Sequence, residues 1–288
     1  MKLIRGSTAL CYNTGVGKLY LVATPIGNLE DISLRALRVL REVDFIAAED
    51  TRRTGKLLAH YEIDTPLVSY HEYSDEQRLE DLIGRLENAD LVLVSDAGSP
   101  LISDPGYELI QAATARGFTV VPIPGPSAVI AALSAAGLPT DTFLFLGYLP
   151  RKNNERKKLL EQQKRVPHTL VFFEVPHRMK SSLDDLVTVF GRDRPAAVCR
   201  ELTKIHEQVV RGALGDIAAE LESVEARGEY TLVIAGAPGS HDWTEAEVRR
   251  ALDERIAAGG KPSEAARWVA SQSGWARRDV YRLTLEEE

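Results

Sequence analysis

The stretch Leu91–Gly106, LVLVSDAGSPLISDPG, limits the possible folds more than any other part of this chain. Leu91–Ser95 is apolar and β-prone, the pattern of a strand buried on both faces of a parallel sheet. It runs directly into a loop holding Asp96, Gly98, Ser99, Pro100 and Pro105. A buried strand that ends in Gly, Ser and Asp and turns into a helix is where α/β folds hold ligands. The expectation is a ligand loop at the carboxyl end of a strand. Asp104 then caps the next helix, Pro105 takes its first position and Gly117 stops it.

The same grammar surrounds this stretch. Lys18–Ala23 reads as the first strand, followed by the loop Thr24–Asn28 and a helix capped by Ser33 with Leu34, Leu37, Leu40 and Val43 on one face. Phe45–Ala48 is a strand ending in the charged run Glu49–Arg53, then come a helix at Thr54–His60, a strand at Leu67–Tyr70 and a helix at Asp75–Asn88. Phe118–Ile123 is a further strand, and Pro124-Gly125-Pro126-Ser127 leads into a helix ending near Gly137, with Pro126 suited to its first position. Strand–helix alternation of this kind predicts a mostly parallel, helix-covered sheet. Parallel strands end on one side of their sheet, so the Asp96 loop and the Pro124–Ser127 loop are expected side by side.

After Leu138 the pattern restarts. Strands are expected at Phe143–Gly147, Thr169–Val175, Ala196–Glu201, His206–Arg211 and Thr231–Gly236, with helices at Asn153–Lys164, Lys180–Phe190 and Asp216–Ala226. Several of these strands can pair as hairpin neighbours, so this second sheet is expected to be mixed. Past Pro238, Thr244–Ala258, Ser263–Gln272 and Ala276–Glu286 read as three short helices, a helix-turn-helix-like end. The expected division is a flexible leader at 1–17, α/β domains at 18–138 and 139–238, and a small helical domain at 239–288.

Composition excludes several classes. Cys11 and Cys199 are the only cysteines and are far apart, which argues against a disulfide framework or a zinc site. No further metal-ligand types cluster with Asp96 and Asp104, so no metal is expected. No apolar run reaches the ~18 residues of a membrane-spanning helix. The net charge of −7 excludes polyanion binding by bulk charge, so local charge has to decide. Arg151–Arg165 carries seven Lys/Arg against two Glu, and Arg255–Arg282 six Lys/Arg against two acids with Trp268, Trp275 and Tyr281 interleaved. Basic residues hold phosphates and aromatic rings stack on unpaired bases, which points to RNA. The first island also fits a solvated helix face, and Trp268 fits the core of the small domain.

Four loops thus stand in order: Thr24-Pro25-Ile26-Gly27-Asn28, the Asp96–Gly106 loop, Pro124–Ser127 and Gly228-Glu229-Tyr230-Thr231. Their order resembles the tetrapyrrole methylase superfamily. The stretches VATPIGNLEDIS, AAEDTRRTGKLL, SDAGSPLISDPG, PIPGPSAVIAAL, FFEVPHRM and CRELTKIHE resemble one branch of it, the bacterial small-subunit ribosomal RNA (cytidine-2′-O)-methyltransferases, over residues 18–286. The resemblance implies two α/β domains with S-adenosylmethionine in the cleft between them. It further implies methyl transfer to the ribose 2′-hydroxyl of a cytidine in the decoding region of 16S ribosomal RNA, by a homodimer; the cytoplasmic location is expected from the cysteine usage, which fits a reducing compartment.

Ala23 and Pro25 stand where many superfamily members carry glycine, and G-x-G-x-x-G is absent, which disfavours a nucleotide pyrophosphate. Pro25, Ile26, Gly27, Asp96, Gly98, Ser99, Pro100, Ile102, Gly125, Ser127, Ala128, Phe173 and Glu174 are the candidate cofactor residues. They offer backbone donors, acceptors and an apolar lining. One of Phe172 and Phe173 is expected in the core, the other against adenine, with Glu174 facing the cleft. His177 reads as a capping or surface residue. Removing a proton from a ribose hydroxyl suits Glu201 and Lys204, the catalytic candidates, without deciding between them. Arg52, Arg53, Arg151, Lys152, Lys157, Arg200, Lys261, Arg277 and Arg278 are the candidate RNA contacts. A methylase of a small tetrapyrrole-like molecule and a non-catalytic RNA-binding relic are the alternatives.

Overall fold

The computed structural model describes residues 17–71, 76–222, 227–237, 243–273 and 275–285. Residues 1–16 of the expected leader, the expected helix start Asp75, the end of the helix expected to reach Ala226, and Glu286 lie outside the described residues.

The first sheet contains β1 (Lys18–Val22), β2 (Phe45–Ala48), β3 (Leu67–Ser69), β4 (Leu91–Val94) and β5 (Thr119–Ile123) in the order β3-β2-β4-β1-β5. Every pairing in it is parallel. Strands β2 and β4 are buried along their whole length, which is why they read as apolar runs and not as alternation. Helices α1 (Leu34–Glu42) and α2 (Thr51–His60) cover one face, where Ala36, Val39, Leu40, Leu57 and Leu58 meet Val22, Ile46 and Val92. Helices α3 (Glu76–Leu86) and α4 (Tyr107–Ala115) cover the other, where Leu82, Ile83, Leu86 and Leu109 meet Leu19, Phe45 and Leu93. The chain winds outward from β1 through β2 to β3 over one face, then through β4 to β5 over the other. Such a reversal opens a crevice at the carboxyl ends of the two strands where the winding turns, here β1 and β4.

Local details depart from the sequence pattern for physical reasons. Leu34 is 87% exposed, and α1 buries Ala36, Val39 and Leu40, with Val43 just past its end. Steps of three residues precess around a helix, whereas the i, i+3, i+4, i+7 stripe stays on one face. Helix α2 begins three residues earlier than expected because Asp50 caps it, which places Arg52 and Arg53 in its first turn. Asp104 does not cap α4. That helix starts after Gly106, whose φ of 130° few side chains tolerate and whose added Cβ would lie 2.6 Å from Leu93 Cδ2. Pro126 lies ahead of α5 (Ala128–Ala136), not in its first turn. Ser127 supplies the cap, its carbonyl accepting from Ala131 N–H at 2.9 Å.

The second sheet contains β6 (Phe143–Tyr148), β7 (Thr169–Glu174), β8 (Pro195–Arg200), β9 (Gln208–Ala213) and β10 (Tyr230–Ile234) in the order β6-β7-β10-β8-β9. Only β6 and β7 run parallel, so the sheet is mixed, as the hairpin spacing requires. Helices α6 (Asn153–Gln163), α7 (Met179–Phe190) and α8 (Leu214–Glu222) pack on it around Phe172, Leu160, Leu186 and Ile217. Buried between α6 and α7 is an ion pair. Arg156 Nε donates to Asp185 Oδ2 at 2.7 Å, and the two side chains are 3% and 5% exposed.

Helices α9 (Glu245–Ala257), α10 (Pro262–Ser273) and α11 (Arg277–Leu283) share a core of Val248, Leu252, Ala265, Ala266, Val269, Val280 and Leu283. A capping box between Thr244 and Glu247 starts α9. Trp268 is not in that core. It is 38% exposed, with the Arg255 guanidinium 3.5 Å from its ring centre. No described helix is long and apolar enough to cross a membrane.

The chain divides into two compact units. One comprises the residues up to Ala131 together with Glu201–Glu207, the other Ala132–Arg200 together with Gln208 onward.

Candidate functional site

In the first unit the loops after β1, β4 and β5 meet. Thr24 and Gly98 form an isolated two-bond bridge, each N–H donating to the other's carbonyl at 2.9 Å. Ser99 Oγ donates to Pro126 O at 3.4 Å, joining the second and third loops. Gly125 sits so close to β1 that an added Cβ would be 3.0 Å from Ala23 Cβ. Pro25, Ile26, Gly27, Asp96, Gly98, Ser99, Pro100, Ile102, Gly125 and Ser127 are therefore on loops of one unit at the carboxyl ends of parallel strands, and Ala128 opens α5 directly after the last of these loops.

Asp96 ties this cluster to helix α2. Its Oδ1 accepts from Asp50 N–H at 3.0 Å, and its Oδ2 pairs with Arg53 at 3.2 Å. An ionised carboxylate has about four acceptor positions, so Asp96 keeps capacity for a ligand. A cavity of about 200 Å³ opens beside it, lined by Thr24, Pro25, Ser95 and Asp96 with Arg53 and Lys56. Arg52, by contrast, turns back on its own cap. Its Nη2 meets Asp50 Oδ2 at 2.7 Å, and this contact raises the guanidinium's pKa and holds the Asp50 carboxyl well below the usual carboxylate range.

Asp104 faces inward. Burial pushes its carboxyl up to about 6, the nearby Glu49 and Asp96 charges add to the rise, and a hydrogen bond from Ser95 opposes it. Three strand-end acids thus share one corner of the unit, although no group of His, Cys, Asp and Glu among the described residues could hold a metal. An unfolded aspartate titrates near 3.8. Between that pH and about 6 the folded protein holds a proton that the unfolded chain has lost, so stability falls as pH rises through this window. Asp104→Asn is expected to stabilise the protein by about 1 kcal/mol at pH 7.5, after allowance for the solvent reaching this side chain, and to be neutral near pH 4. Thermal unfolding of both proteins across that range measures the crossover.

The segment Glu201–Glu207 completes the first unit. Lys204 Nζ pairs with Glu201 Oε1 at 2.7 Å, and Thr203 N–H donates to Glu207 Oε2 at 2.6 Å. Glu201 and Thr203 have φ of 50° and 66°, and Leu101 and Ser103 of 72° and 68°. Apart from Glu62, these are the non-glycine residues with positive φ among the described residues, and such strain gathers at functional sites. Thr203 Oγ1 is buried and finds no hydrogen-bond partner among the described residues. Gly27 lies directly beneath this segment. A Cβ there would come within 2.4 Å of Lys204 Cγ, 2.8 Å of Thr203 Oγ1 and 2.9 Å of Leu202 O. Gly27→Ala is expected to displace the turn at a cost of about 1–3 kcal/mol. Gly84→Ala, in open space on α3, should instead stabilise by about 0.5–1 kcal/mol. Denaturation curves of the two variants test the contrast.

Two cofactor candidates lie in the second unit, and one of them changes role. Phe172 is fully buried, whereas Phe173 is half-buried and packs edge-on against Phe145 and Tyr148, with centroids 4.8 and 5.4 Å away. Glu174 does not present itself to a ligand. Its side chain has no exposure. It pairs with Arg178 at 2.6 Å, accepts from Val175 N–H at 2.7 Å and makes a short hydrogen bond with Ser182 Oγ. A buried carboxylate needs such partners, and here the following helix supplies them. The basic candidates Arg151, Lys152, Lys261, Arg277 and Arg278 are exposed, with Lys152 paired to Glu155. Lys157 reaches Asp185 at 3.3 Å, and Arg200 Nε donates to Arg227 O at 2.9 Å. His177 is exposed and caps nothing. Sequence pattern missed Asp104 as a half-buried acid and Arg178 as the partner of Glu174. Glu174 ends strand β7 and Arg178 lies in the turn beyond it, so no helical spacing linked the latter pair in the sequence.

A doubly wound sheet whose strand-end loops meet at its winding reversal, followed by a mixed sheet, defines the class. The sequence profile of the Tetrapyrrole (Corrin/Porphyrin) Methylases matches residues 18–218, and the chain belongs to that family. Within it, the chain is similar to the ribosomal RNA small subunit methyltransferase I of Halalkalibacterium halodurans, with 46% identity over 277 residues, 94% of this chain and 96% of the relative. Its counterpart of the same name in Synechocystis sp. is also 46% identical, covering 95% of this chain and 99% of that one. That of Escherichia coli O157:H7 is 42% identical, covering 94% and 96%. Among solved structures, diphthine synthase superposes with a TM-score of 0.60 at 17% identity, covering 76% of this chain and 90% of that one. A cobalt precorrin-4 methyltransferase reaches 0.56 at 18% identity, covering 76% and 94%, so both establish the shared fold.

Proposed function

We propose that this chain transfers a methyl group from S-adenosylmethionine to the ribose 2′-hydroxyl of a cytidine in the decoding region of 16S ribosomal RNA. The observation that carries the proposal is the meeting, in one unit, of three strand-end loops with the strained Glu201–Glu207 turn. The names of the relatives supply the substrate class.

The residues present fit the cofactor. It carries an ammonium, a carboxylate, ribose hydroxyls and an adenine edge, and supplies a methyl group on a sulfonium. Asp96 retains acceptor positions for the ammonium or the hydroxyls, and Arg53 and Lys56 place cations at the same cavity for the carboxylate. Thr203 Oγ1, buried and without a hydrogen-bond partner among the described residues, can donate to or accept from such a group. Pro25, Ile26 and Ile102, all in the first unit, supply apolar surface.

Glu201 is the proton acceptor for the ribose hydroxyl, and Lys204, paired to it at 2.7 Å, positions its carboxylate. Arg151, Lys152, Lys157, Arg200, Lys261, Arg277 and Arg278 hold phosphates. Arg53 belongs with the cofactor loop through its bond to Asp96, and Arg52 contributes an exposed charge already shared with Asp50. The same proposal makes the enzyme cytoplasmic and a homodimer, the latter measurable by sedimentation.

The test incubates the protein with methyl-labelled S-adenosylmethionine and small subunits from a strain lacking the enzyme, then digests the RNA to nucleosides. Label on the ribose of a cytidine is expected. Label on a base, or none in the RNA, would overturn the proposal.

A further inference from the structure

The second unit has a cavity of its own, of about 560 Å³, lined by Tyr148, Leu149, Arg151, Val175, His177 and Arg178. That volume is in the range of sites that enclose a small ligand. Leu149 and Val175 give it apolar walls, and the Tyr148 ring is 51% exposed. Its polar groups are two guanidiniums, an imidazole and the Tyr148 hydroxyl, and no carboxylate lines it among the described residues. An aromatic face beside several cationic or donor groups matches an occupant that is planar at one end and anionic at the other.

The wall is held in place from behind. Arg178 Nη1 donates to Leu149 O at 2.9 Å, while its Nη2 is fixed by the buried Glu174. Arg156, locked to Asp185, donates to Pro150 O at 3.5 Å and Ser181 O at 3.4 Å. Two guanidiniums, each neutralised by its own buried carboxylate, therefore fasten the backbone between Tyr148 and Arg151. The Tyr148 ring rests edge-on against Phe173. Arg178 Nε is buried and finds no hydrogen-bond partner among the described residues. Ordering a ligand on a wall already fixed in this way costs less entropy than ordering both.

We propose that this cavity binds one nucleotide of single-stranded RNA, its base stacked on Tyr148 and its phosphate held by Arg151 and His177. The inference rests on the RNA reading above and adds the place where a substrate nucleotide is gripped. It also explains why Glu174 is enclosed. Glu174 is a positioning residue for Arg178 and, through it, for the Leu149 backbone.

The experiment measures fluorescence anisotropy of a labelled single-stranded oligoribonucleotide of about ten nucleotides on the full-length protein, together with calorimetric titration of S-adenosylmethionine. Tyr148→Leu is expected to weaken RNA binding about tenfold, the scale of one base–aromatic stack, while Tyr148→Phe stays within about twofold of the parent. Arg151→Gln should weaken binding and lower the salt slope by about one phosphate contact. Cofactor affinity should not change in any of the three. If Tyr148→Leu and Arg151→Gln both bind RNA like the parent, while the parent still labels small-subunit RNA, the cavity inference fails and the enzyme assignment stands. If the parent labels no RNA, both fail together. A loss of cofactor affinity with RNA affinity intact overturns the inference by assigning the cavity to the cofactor.

Discussion

Replacing Asp185 by asparagine is expected to destabilise the second unit by about 3–5 kcal/mol. Asp185 is the counter-charge for a guanidinium that is 3% exposed, and it accepts from both Arg156 and Asn153. The amide can still accept one hydrogen bond, but it leaves Arg156 charged in a site from which water is excluded. Truncating one partner of a buried pair costs far more than the pair is worth, because the survivor is uncompensated. The double variant Arg156→Met with Asp185→Leu should therefore recover most of the loss. Calorimetric unfolding of the single and double variants distinguishes an uncompensated charge from a mere packing defect, which the double variant would deepen. Lys157, half exposed and 3.3 Å from the same carboxylate, contributes little by comparison.

Asp96→Asn should lower affinity for S-adenosylmethionine by about 10- to 100-fold, the scale of losing a hydrogen bond to a charged group. The amide removes the charge that the proposed site offers to an ammonium and loosens Arg53 from its 3.2 Å contact. Arg53→Gln should give a smaller loss, since Lys56 remains at the cavity. Asp96→Asn also takes away one of the two charges that raise Asp104, so the Asp104 titration should move below 6. Calorimetric titration reads the first effect and carbon-detected NMR of the aspartate carboxyls the second. An unchanged cofactor affinity would remove Asp96 from the site.

The parallel sheet was legible because buried strands declare themselves as apolar runs. Phe45–Ala48 is bounded in the structure as its sequence suggests, and Leu91–Val94 stops one residue short. The meeting of the Asp96 and Pro124–Ser127 loops followed from strand direction alone, and the Ser99–Pro126 hydrogen bond bears it out. Asp104 was illegible because its place depends on left-handed turns at Leu101 and Ser103, which neither residue type advertises. Glu174 at the end of an apolar strand has the sequence signature of a residue facing solvent. Only the three-dimensional return of Arg178 and Ser182 reveals that it is enclosed. Trp268 followed the rule that large aromatics are inside, but the small alanines Ala265 and Ala266 took the core of the helical domain instead.

The Glu201–Glu207 segment has a consequence for synthesis. It lies about seventy residues beyond the rest of its unit along the chain, yet it packs directly on the loop after the first strand. As the polypeptide leaves the ribosome, the early sheet can form with its ligand loops in place. The residues that roof Gly27 emerge only after the first three strands of the second sheet have been made. These residues are therefore the last to join the first unit, so a chain broken off before Glu201 would carry the proposed cofactor loops without the proposed proton acceptor.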